Sequence, residues 1–360
     1  MPAIYFTVTN DLSYDQRMIR ICTSLTNAGY SVTLVGRELP NSIAPAAQPF
    51  QQKRLECWYA KGKLFYLEYN IRLFFYLLFR KMDVICAVDL DTIVPCYFIS
   101  ILKKAVRVYD AHELFCEMKE IVRRPAVYRA WKFIEKTFVP RFPRGYTVNN
   151  LIAAEFARMY GQHYEVIRSI AHYDGTDLPK ENYILYQGAV NEGRCFETLI
   201  PAMKKVNSVL IICGEGNYFE QAKNLARDNA VNHKVIFKGL VPPDELRVYT
   251  NKARVGITLF ENHGLSNYYS LANRFFDYLQ AGVPQLCSDF PLYNNLNREF
   301  GVALLISDNT ADKITEQLNL LLSDQDQWRR LHLNCRAAAK VLNWENEEKK
   351  LISFYRELLG

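Results

Sequence analysis

Short apolar runs alternate along this chain with longer segments of helical periodicity, and the alternation begins almost at the first residue. Ile4 to Thr9 predicts a strand ending in the polar turn Asn10-Asp11-Leu12-Ser13. A helix from about Asp15 to Ala28, closed by Gly29, and a second strand from Ser31 to Val35 follow. Asp83 to Val88 predicts a strand that ends in Asp89-Leu90-Asp91-Thr92, before a helix through Leu102, with Asp91 or Thr92 as a candidate cap. Ala105 to Tyr109 predicts another, followed at once by Asp110-Ala111-His112-Glu113, and helices over about Pro125–Val139 and Leu151–Tyr160 flank a strand from Gly145 to Val148. This is the α/β pattern of a doubly wound parallel sheet, Rossmann-like but without a Gly-rich dinucleotide fingerprint in its first turn.

After Val166 the pattern dissolves into RSIAHYDGTDLPKEN, read as a linker, with His172 solvated. The alternation then restarts. Tyr183 to Gly188 predicts a strand whose turn, Gly188 to Arg194, leads into a helix. Val209 to Cys213 runs into Gly214-Glu215-Gly216, and Val235 to Phe237 runs into Lys238-Gly239-Leu240-Val241. Val255 to Phe260 predicts a strand, Glu261 to Asn267 a polar loop, and about Tyr269 to Gln280 an amphipathic helix stopped by Gly282 and Pro284. A chain of 360 residues exceeds one comfortable core, so two domains are expected: 1–170 and 183–342, joined by 171–182, with 343–360 as a closing helix. Residues 57–82, dense in aromatic and basic side chains, fit either a core helix or an amphipathic helix on a membrane surface; packing into the core is the reading adopted.

Composition narrows the class. The nine cysteines lie in hydrophobic stretches without a Cys-x-x-Cys, as buried reduced thiols do, so neither a disulfide nor a zinc framework is expected. The chain opens directly on a strand, with no leader pattern, and no uncharged run reaches the ~18 residues of a spanning helix, so a cytoplasmic protein is expected. Residues 1–170 hold 23 Lys+Arg against 15 Asp+Glu, whereas the remaining residues hold 21 against 23. A basic first half suits an anionic acceptor or an anionic membrane face, and no nucleic-acid motif accompanies it.

Ligands of doubly wound sheets bind beyond the carboxyl ends of the strands, and helix N-termini there favour anions. Ser270, Asn273, Arg274 and Asp277 bring a hydroxyl, an amide, a guanidinium and a carboxylate to one such place, a set suited to phosphates and vicinal hydroxyls together. Gly188 and Gly193 allow close backbone approach to a diphosphate that Arg194 can clamp, and Gly214 permits a tight turn. In the first half, Asp110, His112 and Glu113 put three titratable groups within four residues at a strand end. Asp89 lies on the same rim, and Asn10, Asp11 and Arg17 line the first turn.

The stretch SLANRFFDYLQAGVP resembles the donor-binding helix of GT-B glycosyltransferases, in particular the retaining family 4 group, and VYDAHELF resembles a motif of bacterial members. Family members carry Glu-x7-Glu, whereas this chain has Ser270 and Asp277 with six residues between them. The resemblance implies the GT-B fold, two Rossmann-like domains facing across a cleft, with the last helix crossing back to the first. It implies transfer of a sugar from a nucleoside diphosphate donor, a UDP-sugar being expected, to an acceptor hydroxyl with retention, in surface polysaccharide or glycolipid synthesis. Asp277 would hold the ribose, Ser270 and Asn273 would face the donor, Leu240 would lie against the base, and Arg194 and Arg274 would neutralise the diphosphate. His112, oriented by Asp110, would sit by the donor sugar and acceptor hydroxyl. Asn10, Asp11, Arg17, Asp89 and Glu113 would form the acceptor side, with Glu117 or Glu120 also in reach. No metal and no cofactor is expected, although Asp89 and Asp91 have Asp-x-Asp spacing. The acceptor would be a saccharide or lipid-linked saccharide, with peripheral association at the inner face of the membrane. Two alternatives share the fold: a nucleotide-sugar 2-epimerase, and a non-catalytic partner of a glycosyltransferase.

Overall fold

Buried apolar runs become the central strands of two parallel sheets, each with its own core. The computed structural model describes residues 1–360 except Tyr14, Asn41, Ile43 and His263. The chain divides into two units: Met1–Ser169 with Glu347–Gly360, and Ile170–Asn346.

The first unit runs β1 (Ala3–Asp11), α1 (Gln16–Asn27), β2 (Ser31–Glu38), β3 (Gln51–Glu56), α2 (Gly62–Leu78), β4 (Val84–Val88), α3 (Ile93–Lys103) and β5 (Val106–Ala111). It continues through α4 (Lys119–Val122), α5 (Pro125–Phe138), β6 (Arg144–Thr147), α6 (Asn150–Tyr160) and β7 (Glu165–Val166). The strands pair in the order β3-β2-β1-β4-β5-β6-β7. β4 is buried at every position, which is why it reads as an unbroken apolar run. The order reverses between β1 and β4, so the binding crevice of this sheet lies where these two strands end, at Asn10, Asp11 and Asp89.

The second unit runs β8 (Tyr183–Gln187), α7 (Phe196–Ala202), β9 (Val209–Cys213), α8 (Phe219–Asp228), β10 (Val235–Gly239), α9 (Pro243–Lys252), β11 (Val255–Thr258), α10 (Leu265–Tyr268) and α11 (Asn273–Gln280). It ends with β12 (Gln285–Ser288), α12 (Pro291–Phe300), β13 (Ala303–Ile306), α13 (Ala311–Ser323), α14 (Gln325–Ala339) and the start of α15 (Trp344–Leu359), whose residues from Glu347 onward belong to the first unit. Its order is β10-β9-β8-β11-β12-β13, with the reversal between β8 and β11.

Several elements differ from the sequence expectation. The helix expected from Tyr269 begins only at Asn273: the Ala272 N–H donates to the Tyr293 hydroxyl at 3.0 Å, so Ser270 stands before the helix. A short helix, α10, occupies part of the expected loop. The 171–182 stretch, expected as a linker, is pinned to the second unit. Arg336 donates to the Gly175 and Thr176 carbonyls, and Lys180 donates to those of Asn251 and Ala281. His172, expected to be solvated, is exposed and meets the Glu345 carboxylate at 2.9 Å.

The helix within 57–82 spans only 62–78 and carries two apolar stripes. Phe65, Tyr69, Leu73 and Leu77, spaced four apart, are buried. Leu64, Leu67, Ile71 and Phe75 lie on the opposite side and are 46–59% exposed. Core packing therefore accounts for one face of α2 and leaves the other apolar and open. Among the described residues no helix is long and apolar enough to cross a membrane, and all nine cysteines are free.

Candidate functional site

Each unit gathers polar groups where its sheet order reverses, and the two centres differ in chemistry.

In the second unit the strand ends meet through glycines. Gly214, at φ +140°, donates its N–H to the Gly239 carbonyl at 2.7 Å. A Cβ on Gly214 would stand 1.9 Å from the Gly188 carbonyl oxygen, so no other residue fits there. Gly188, at φ +113°, faces the Arg274 guanidinium, its would-be Cβ standing 3.5 Å from Nη1. Arg194 ends the turn that precedes α7, which starts at Phe196.

Arg194 and Arg274 converge on one ring, with guanidinium carbons 4.3 and 4.6 Å from the centroid of Phe260. Arg274 also lies 4.7 Å from the centroid of Tyr186 and donates to its hydroxyl at 3.3 Å; Arg194 reaches the Asn267 side chain at 3.3 Å. Arg274 is only 8% exposed, and its Nε and Nη2 are buried without a hydrogen-bond partner. A buried guanidinium with two idle donors is costly, and it is satisfied by an anion with several acceptor oxygens. One turn along α11, Asp277 accepts from Gln187 at 2.8 Å, and Gln187 in turn accepts from Thr250 at 2.6 Å, so the carboxylate is held from behind. Ser270 lies against the Tyr293 phenol, Asn273 is exposed at the start of α11, Gly193 shares the Gly188–Arg194 turn and Leu240 is 58% exposed just past β10. Sequence reasoning missed Phe260, Tyr186, Gln187 and Thr250. Phe260 read as a strand residue, yet it lies beyond β11 with its backbone tied to Ser288 and Asn309.

In the first unit the centre is His112. Its backbone N–H donates to Asp89 Oδ1 at 2.8 Å, and Nδ1 stands 3.6 Å from Asp89 Oδ2, beyond hydrogen-bond reach. At the other side of the ring, Arg17 Nε donates to Nε2 at 2.9 Å, and Asp110 Oδ2 is 3.2 Å away. Arg17, expected on the acceptor side, is 5% exposed, and its remaining nitrogens donate to Asp110 Oδ1 and the Ile167 carbonyl. It positions the imidazole from within the fold.

Burial pulls the His112 pKa down, but Asp110 and Asp89 outweigh it and hold it up at about 9. Asp110 is pushed up by burial and brought below its ordinary value by Arg17 and His112. Asp89 is raised to about 7, chiefly by burial, against the opposing pull of His112. The uncharged ring accepts from Arg17 at Nε2 and so keeps its proton on Nδ1; the imidazolium carries protons on both. Nδ1 is a donor in either state. Asp89 holds φ +56° and ψ 179°, a conformation costing on the order of 1–3 kcal/mol and typical of functional positions.

The other candidates are partly engaged. Asn10 donates to Asp15 at 3.2 Å, and Asp11 is bound by Ser42, the Ser13 N–H and Arg54. Glu113 is close enough to push Asp89 and Asp91 up, and Glu117 faces Lys132 at 3.6 Å. Asp91 accepts from Thr9, and Thr92 caps no N–H, its hydroxyl donating instead to the Thr7 carbonyl. Among the described residues no group of three His, Cys, Asp or Glu side chains is arranged to hold a metal ion.

Two doubly wound parallel-sheet units, each with a polar centre at its switch point, define the GT-B class of α/β proteins. Residues 174–340, nearly all of the second unit, match the family described as glycosyl transferases group 1. An uncharacterized glycosyltransferase of Methanocaldococcus jannaschii is 24% identical over 190 residues, which cover 50% of this chain and 47% of that protein, so the match spans about half of each. The whole fold is similar to that of sucrose-phosphate synthase from Thermosynechococcus elongatus, with a TM-score of 0.83, 16% identity and 99% of both chains covered. It is also similar to HepE of Anabaena solved with UDP-glucose, with a TM-score of 0.74 and 11% identity over 99% of this chain and 100% of that one.

Proposed function

We propose that the protein transfers a sugar from a nucleoside diphosphate sugar to an acceptor hydroxyl with retention, in the making of a surface polysaccharide or glycolipid on the cytoplasmic side of a membrane. The observation that carries this reading is the pair of idle buried donors on Arg274, beside Gly188 and Arg194. A diphosphate placed there receives two guanidiniums and the N-terminus of α11, whose N-cap residue, Ala272, supplies no side-chain cap. Asp277, held by Gln187, accepts from the ribose hydroxyls.

As the bond between the anomeric carbon and the phosphate oxygen breaks, negative charge grows on the leaving diphosphate. Arg194 and Arg274 neutralise it in place, so the reaction proceeds without a metal ion. The acceptor oxygen bonds to the anomeric carbon on the face the diphosphate leaves, and its proton passes to the departing phosphate. In the first unit, the His112 Nδ1–H donates to a sugar hydroxyl, while Arg17 and Asp110 fix the ring. HepE was solved with UDP-glucose, which makes uridine donors the first to try.

The test is prolonged incubation with a panel of nucleoside diphosphate sugars, reading free sugar, free nucleotide and sugar identity. Slow release of sugar and nucleotide from one donor, faster with a saccharide acceptor present, is the expected result. Interconversion of the donor sugar would instead make the protein an epimerase, and no change in any donor would make it a non-catalytic partner.

A further inference from the structure

The core side of α2 is the four-residue ladder Phe65, Tyr69, Leu73 and Leu77, and the open side has an order of its own. Leu64, Leu67, Ile71, Phe75 and Leu78 follow one another in steps of three, four, four and three residues. These steps average the ~3.5-residue repeat of a coiled-coil seam. With ~3.6 residues to a turn, all five side chains leave the helix within about 40° of Ile71, directly away from the buried ladder. A helix that is apolar on both faces is ordinarily covered on both.

The stripe also reads the same from either end, with Ile71 at its centre. A two-fold interface demands a surface complementary to itself, and such a stripe meets that demand when a second copy lies antiparallel across it. With the axis at Ile71, Leu64 faces Leu78 of the second copy, Leu67 faces Phe75, and Ile71 faces Ile71. The flank agrees in charge. Glu68 accepts from Arg72 at 2.8 Å, and the Arg72 guanidinium carbon lies 4.8 Å from the centroid of Trp58. Both residues lie within a turn of Ile71, so antiparallel packing brings the acid of each copy within reach of the base of the other. An interfacial membrane helix is instead rich in Lys and Arg beside its apolar face, whereas this flank holds one charge of each sign.

The exposed area is sufficient. Trp58 beside the flank is 88% exposed and Phe79 just past the helix is 79% exposed. At ~200 Å2 for a large side chain, these two with Leu64, Leu67, Ile71 and Phe75 present on the order of 700 Å2 of apolar surface, close to the ~800 Å2 each partner gives to a stable interface.

We propose that the open face of α2 is a homodimer interface, in which two copies of this chain pack α2 against α2, antiparallel, about a two-fold axis at Ile71. The Trp58 indole, stacked on Arg72, closes the edge of the contact. The interface uses no residue of the His112 or Arg274 centres, so it stands or falls apart from the transfer reading.

The test is sedimentation velocity of the full-length protein across the nanomolar to high micromolar range, where a dimer that dissociates on dilution is expected. Because Ile71 faces itself, Ile71→Lys sets like charges opposite one another and should weaken the dimer about a hundredfold or more. Ile71→Glu should do the same, and an equal mixture of the two variants should dimerise again. In a Cys57→Ser background, Leu64→Cys mixed with Leu78→Cys should form an intermolecular disulfide that neither variant forms alone. Should the Ile71 variants fail to fold, Phe75→Ser at a 56% exposed position is expected to weaken the dimer about fivefold or more. The proposal is overturned by a wild type that stays monomeric at high micromolar concentration, by a dimer indifferent to the Ile71 and Phe75 variants, or by a mixture of the charged variants that stays monomeric. Monomeric protein that co-sediments with phospholipid vesicles through Ile71 and Phe75 would likewise overturn it and give the face to a membrane.

Discussion

Replacing Arg274 by Met should move stability and ligand binding in opposite directions. In the ligand-free protein the guanidinium leaves Nε and Nη2 buried and unpaired, and each such donor costs about 1–3 kcal/mol. Against this, the arginine makes one hydrogen bond to Tyr186, worth about 1 kcal/mol, and two ring contacts of about 0.5–1 kcal/mol each. The balance favours Met, which keeps the packing against Tyr186 and Phe260, by about 0–3 kcal/mol. For a unit of this size each kcal/mol is roughly 2–4 °C, so the variant should melt at the wild-type temperature or several degrees above it. Losing a preorganised donor to the leaving group should cut turnover about 100- to 1000-fold, and added nucleotide should no longer raise the melting temperature. Differential scanning fluorimetry with and without nucleotide reads both effects. A variant that melts well below wild type while still gaining stability from nucleotide would refute the assignment of Arg274.

Further outcomes follow from the same geometry. Gly214→Ala places a methyl group 1.9 Å from the Gly188 carbonyl, so the turn must open; calorimetry should show nucleotide affinity falling at least tenfold. Asp277→Asn removes a charge-assisted acceptor worth about 1.5–3 kcal/mol, so nucleotide affinity should fall about ten- to 150-fold, with Gln187→Ala weakening it less. Proton NMR should find the His112 ring titrating well above 6.5, near 9, and Asp89→Asn should lower that value because one of two supporting carboxylates loses its charge. Because this pKa is raised on folding, the stability His112 contributes is complete below about pH 6.5 and lost as pH rises through about 9. Urea unfolding of wild type against His112→Gln should therefore give a difference that shrinks across that window, and a constant difference would count against the ion pairs.

The strands legible in the sequence are those buried on both faces. β4 is an unbroken apolar run and β8 is buried at every position because helices cover both sides of their sheets. β3 was invisible for the converse reason: Gln51-Gln52-Lys53-Arg54-Leu55-Glu56 is a polar edge strand, specified by its pairing with β2 rather than by any hydrophobic pattern. Tyr269–Ala272 has helical periodicity, yet a hydrogen bond to Tyr293, distant in sequence, holds Ala272 ahead of the helix. Arg17 illustrates the limit most clearly. On an amphipathic helix an arginine reads as a surface residue, and only tertiary structure brings Asp110 and the Ile167 carbonyl to it from 93 and 150 positions away. The glycines and arginines of the second unit were legible because their chemistry is local to strand ends. The Phe260 ring that joins Arg194 and Arg274 was not, since an aromatic residue at a strand end carries no sign of what stacks on it.

The most direct test of the account is a calorimetric titration of the wild-type protein with UDP, UDP-glucose and the other nucleoside diphosphates and their sugars. The account predicts saturable one-to-one binding of one nucleotide and of a sugar it carries. Absence of binding to every nucleotide at millimolar concentration would contradict a donor site between Gly188, Arg194 and Arg274, and with it the proposed transfer.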